Sequence, residues 1–178
     1  MSLLTQSNAL ALWQDVVKHA EDRCSIALKE DLEAYLVSLL IRYTNQPDVA
    51  KQIFATAFLK ALNLRERERI VSLQHVGDQC LLYAGLFPHI AEKKHVKTSY
   101  FVDLGRSAYA AISNKTNDLY SSLALQFVVL MDVLQSIRPH SDLLPLEAYE
   151  QWNELNSQRA LKILQEYTRG MPVKHIKG

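Results

Sequence analysis

At 178 residues the chain has the length of one ordinary domain, enough to bury about 70% of the surface its unfolded form exposes. Its 48% apolar and 22% charged residues exclude the charge-rich, apolar-poor profile of a disordered chain. The 20 Lys and Arg against 19 Asp and Glu leave a formal charge of +1, no overall field to hold a polyanion; neither nucleic acid nor membrane is expected as a partner.

With only five Gly and five Pro, helix is favoured over strands joined by tight turns. A first helix is predicted over about 8–24, where Trp13, Val16, Val17, Ala20 and Cys24 form one stripe. The residues before it lack the basic and apolar regions of a secretory signal, and no run approaches 18 apolar residues. Cys24 and Cys80 both lie on apolar stripes, where buried free thiols are common. No disulfide is expected, and the compartment reads as a reducing, bacterial-type cytosol. A second helix opens at Glu30, its acidic start suiting the positive helix end, and stops near Asn45. Pro47 suits the first position of a third, carried by Val49, Ile53, Ala57 and Ala61.

Asn63 and Glu66 have the spacing of a capping box for a fourth helix, whose stripe runs through Leu73, Val76, Gly77, Cys80 and Ala84 to Gly85, a natural left-handed cap. The stretch 87–97 reads as a surface loop around Pro88 and a charged run. Thr98 or Ser99 then caps a fifth helix through Phe101, Leu104, Ala108 and Ile112. Thr116 and Asp118 open a long sixth helix, ended at Arg138 by the proline that follows. Leu123, Phe127, Leu130, Leu134 and Ile137 fill one of its faces, and Leu125, Val128, Val129 and Val133 the other. Such a helix belongs at the centre of the fold or in a subunit interface, so a homodimer is expected. A final helix runs from Pro145 to about Thr168, closed by Gly170 and Pro172. The expected fold is all-α: a single domain over 1–170, a bundle or orthogonal array of about seven helices, with a short basic tail at 171–178.

The densest polar and small residues lie in His75-Val-Gly-Asp-Gln-Cys-Leu-Leu-Tyr-Ala-Gly-Leu-Phe-Pro88 and Ser99-Tyr-Phe-Val-Asp-Leu-Gly-Arg-Ser-Ala-Tyr109. These stretches resemble an uncharacterised family of all-helical proteobacterial proteins with a similar Gly-Leu-Phe-Pro corner. The resemblance covers about the middle third of the chain. It implies a helical fold and a bacterial origin, and transfers no site.

Read on their own, these residues make a candidate polar pocket of His75, Asp78, Tyr100, Asp103, Arg106, Tyr109 and Asp132. His75 and Asp78 are one helical turn apart and can share a hydrogen bond, as can Asp103 and Arg106 between Tyr100 and Tyr109. Asp132 interrupts an apolar run, so it needs a cationic or hydrogen-bonding partner; Arg106 is preferred over Arg42 because neighbouring helices tend to pack together. Each pair also has a purely structural reading, as an ion pair that fixes helix register. Gly77 and Gly105, costly inside helices, have two readings: a neighbouring helix crossing closely over each, the other's helix being one candidate, or backbone left open to a ligand; packing is the expected one.

Phosphate-loop, zinc-protease, Cys-x-x-Cys and nucleophile-elbow motifs are absent. Glu92-Lys-Lys-His95 occurs once, where a di-iron bundle needs two such elements and two further glutamates. No cofactor and no metal is expected. The functional expectation is a non-catalytic helical protein that interacts with a protein partner or binds a small ligand. The alternative is a small enzyme with its pocket between the fourth, fifth and sixth helices.

Overall fold

The computed structural model describes residues 2–45, 54–87, 96–114, 118–138 and 143–168. Among these, nine α-helices and no strand occur: α1 (Ser2–Cys24), α2 (Glu30–Asn45), α3 (Phe54–Leu62), α4 (Glu66–Leu86), α5 (Thr98–Ile112), α6 (Leu119–Leu125), α7 (Phe127–Gln135), α8 (Pro145–Leu155) and α9 (Gln158–Thr168). The fold is all-α, as expected. The count exceeds seven because two long predicted helices are each broken. Gln126 separates α6 from α7, and Asn156, in the left-handed region at φ 57° and ψ 30°, separates α8 from α9. No described helix is long and apolar enough to cross a membrane.

Two helices form the centre. Every residue of α4 from Val76 to Gly85 is buried, and α4 packs on α3, α5 and α7. In α7, Phe127, Val128, Leu130, Met131, Asp132, Val133, Leu134 and Gln135 are buried. Of the second apolar face read from the sequence, Val128 and Val133 are buried within the chain and Val129 is partly buried. Leu125, at the end of α6, stays 72% exposed. Helices α8 and α9 pack on each other around Leu143, Ala148, Trp152, Ala160, Ile163 and Leu164, a small core separate from the main one.

Three glycines set how closely these helices approach. A Cβ at Gly77 would lie 2.6 Å from the Tyr109 ring on α5, and one at Gly105 would lie 2.5 Å from Phe127 and 2.9 Å from Cys80 Cβ on α4. Each glycine is therefore crossed by the other's helix. A Cβ at Gly85 would lie 2.4 Å from Leu134 Cβ. This corrects the expected left-handed cap: α4 continues to Leu86, no described glycine has positive φ, and position 85 is glycine because α7 lies against it. Gly77→Leu should destabilise the fold by about 2–3 kcal/mol, the cost of overpacking a site whose neighbour is itself buried. Denaturant melts check it, and an unchanged midpoint would refute the close crossing.

The predicted caps fared unevenly. Arg65, not Asn63, precedes α4, and it makes no side-chain cap; the Asn63 amide donates to the Leu59 carbonyl instead. Lys97, not Thr98 or Ser99, precedes α5. Asp118 does cap its helix, accepting from the Ser121 amide at 2.7 Å. The Pro47 start, the Glu92–His95 element, Thr116, the loop from Pro88 to His95, the Gly170 and Pro172 stop and the basic tail lie outside the described residues.

Candidate functional site

Asp78 is 3% exposed, held in place by the Gly77 crossing that brings α5 over α4. One carboxylate oxygen, Oδ1, accepts from the Tyr35 hydroxyl at 2.5 Å and the Tyr109 hydroxyl at 2.7 Å. The other accepts from Arg42 Nη1 at 3.1 Å. The Gln74 amide donates to the Tyr35 hydroxyl at 3.2 Å, and the Arg42 guanidinium lies 5.8 Å over the Tyr35 ring. One carboxylate thus joins α2, α4 and α5. Burial pushes its pKa up from the ordinary value, while the two phenols and Arg42 pull the other way. The same burial and the neighbouring carboxylate raise Tyr35 and Tyr109. Among neutral phenols, a guanidinium and a carboxyl that share their hydrogen bonds so fully, the arrangement serves as a strut.

The other predicted residues do not join this network. His75 is exposed, and its ring bonds to Gln79 at 2.9 Å rather than to Asp78. Tyr100 and Asp103 are exposed, the Tyr100 ring resting edge-on against Phe101. Arg106 donates through Nε to the Ala124 carbonyl at 3.3 Å, not to Asp103 or Asp132. Of the seven candidates, Asp78 and Tyr109 come together.

Asp132, 1% exposed, makes a second joint. It accepts from the Ser157 hydroxyl at 2.6 Å and the Arg159 backbone amide at 3.4 Å, at the start of α9. Ser157 Oγ accepts in turn from the Ala160 amide at 3.1 Å, the bond of an N-cap residue. The arginine beside Asp132 is therefore Arg159, neither Arg106 nor Arg42, because the break at Asn156 turns α9 back onto α7. The Arg159 guanidinium donates to Gln135 Oε1 at 2.9 Å, and Gln135 donates to the Ala84 carbonyl at 3.0 Å. Burial pushes the Asp132 carboxyl up to about 6, against the pull of Ser157, the α9 amides and the Arg159 charge.

Above this joint lies a surface pocket of about 180 Å³ between α1, the end of α7 and α9. Arg23, Arg138, Arg159 and Lys162 line it, with Glu166 the one carboxylate and Cys24, Ser136 and Ile163 beside them. Arg23 Nη1 donates to the Ser136 and Ile137 carbonyls at 2.8 and 2.9 Å, capping the negative end of α7. Cys24 is a buried free thiol whose pKa burial raises, so it is a filler here and not a nucleophile. The four cations come from positions 23, 138, 159 and 162. No basic run announces them, and only the turn at Asn156 puts the last two beside the first two.

Among the described residues no group of three or more His, Cys, Asp or Glu could hold a metal ion. No protein-family model matches the chain, and neither a curated protein nor a solved structure matches it either.

Proposed function

We propose that the chain is a non-catalytic helical protein of the bacterial-type cytosol that binds a small ligand in the pocket between α1, α7 and α9. The observation that carries this reading is the convergence of four cationic side chains on one concave site, while Asp78 and Asp132 bind separate partners within the fold. A shaped surface with charged, fixed groups is what recognition requires. The two free, buried cysteines fit a reducing compartment.

A thermal-shift screen against small metabolites tests this. A ligand at a hundred times its Kd stabilises the folded chain by about 2.7 kcal/mol, read as a rise in Tm. The rise should persist in Tyr109→Phe, which removes one bond to Asp78 and leaves the pocket untouched. Turnover of a ligand by the wild type, lost in Tyr109→Phe, would overturn the reading in favour of an enzyme built on Asp78.

A further inference from the structure

We infer that the hollow between α3 and α4 binds the carboxylate of a short aliphatic acid. It shares no residue with the pocket between α1, α7 and α9, so the inference goes beyond the reading above and does not rest on it. Only residues 63–65 link the two helices, which pack against each other as a hairpin. Facing sides of that hairpin bring Lys60 of α3 and Ser72 and His75 of α4, the last two one helical turn apart, onto one hollow of about 300 Å³.

The hollow has a polar and an apolar part. Lys60, Ser72 and His75 supply hydrogen-bond donors, and no carboxylate lines it. Among the described residues neither the Lys60 ammonium nor the Ser72 hydroxyl makes a side-chain bond. The ring of His75 is oriented by the buried Gln79, whose Nε2 can only donate and lies 2.9 Å from the ring Nε2. The imidazole therefore accepts at Nε2 and carries its proton on Nδ1. An ammonium, a hydroxyl and a ring N–H together match an anion that accepts through two oxygens, and the one ammonium balances a single negative charge. The rest of the wall is Ala57, Ala61, Leu64, Val71 and Val76, with Val71 66% and Leu64 40% exposed. A hydrocarbon chain laid along it removes those surfaces from water, which a bare inorganic anion does not. The open volume is that of about ten waters at their liquid density, close to the number of non-hydrogen atoms in octanoate.

Methyl proton–carbon NMR of the full chain, titrated with octanoate well below its micelle-forming concentration, tests the site. The methyl resonances of Ala57, Ala61, Leu64, Val71 and Val76 should move together along one saturating curve. Octanol, which keeps the chain and lacks the charge, and acetate, which keeps the charge and lacks the chain, should each bind at least about tenfold more weakly. Lys60 is exposed, so Lys60→Gln leaves the core intact, and circular dichroism establishes that the variant is folded. In it, octanoate should bind about tenfold or more less tightly while octanol binds as before, since a bond to a charged group contributes at least about one power of ten. Methyl shifts that never saturate, or that appear at Ile163 beside the other pocket instead of at these five residues, would overturn the site. Octanol or acetate binding as tightly as octanoate, or full retention in Lys60→Gln, would overturn the carboxylate as its ligand.

Discussion

Asp78→Ala should cost the fold about 3–5 kcal/mol, the largest loss expected from any single change described above. Two phenols lose their acceptor at once. Tyr109 is fully buried and Tyr35 half-buried, and each buried donor left unpaired costs about 1–3 kcal/mol. Arg42 adds little, because its side chain is 48% exposed and recovers water when the carboxylate is gone. The loss should also depend on Tyr109. In a Tyr109→Phe background one of the two orphaned hydroxyls no longer exists, so Asp78→Ala should cost about 1–3 kcal/mol less there. A double-mutant cycle by denaturant unfolding measures the difference. Additive losses, to within about 0.5 kcal/mol, would mean that the hydroxyl of Tyr109 finds another partner and that the carboxylate is not a strut.

How much of this was legible in the sequence follows from what each feature depends on. Apolar period and local propensity are properties of short windows, and they placed nearly every described helix. Gly77 and Gly105 could be read as close crossings because glycine inside a helix is costly unless another helix needs the space. Asp132 could be read as buried because its neighbours on α7 are apolar on all sides. Partners were harder. Asp78 is joined by Tyr35 and Arg42 from α2, 43 and 36 residues away, and no local pattern links such positions; helical spacing pointed to the nearby His75 instead.

The same limit hid the pocket. Its cations are drawn from both ends of the chain, and in a sequence of net charge +1 they leave no trace in composition. One signal was available and passed over. Asn156 followed by Ser157 combines a residue that tolerates the left-handed region with a strong N-cap, which marks the end of one helix and the start of another. Reading it would have split the last predicted helix and turned Arg159 and Lys162 toward α1 and α7. The break at Gln126, between Leu125 and Phe127, had no comparable mark.

The pH dependence of stability should carry the signature of Asp132. Its carboxyl holds a proton up to about pH 6 in the folded chain, against about 3.9 when unfolded. Protonation therefore favours folding. The stabilising contribution is fully present below about pH 4 and is lost as pH rises through about 6, a change of about 3 kcal/mol for a shift of about two units at 1.36 kcal/mol each. Two effects compete for the sign. The α9 amides, Ser157 and the Arg159 charge favour the carboxylate, and near-complete burial on α7 disfavours it more. Asp132→Asn separates them, because an amide keeps an oxygen to accept from Ser157 and cannot ionise. Denaturant unfolding of wild type and variant from pH 4.5 to 7.5 should show Asp132→Asn gaining relative stability as pH rises, by up to about 2 kcal/mol across the range, the rest of the change falling below pH 4.5. Asp78, raised in the same direction, is present in both chains and cancels in the difference. A flat difference, or one in which the wild type gains with pH, would mean that the start of α9 outweighs burial and that Asp132 is held as a carboxylate.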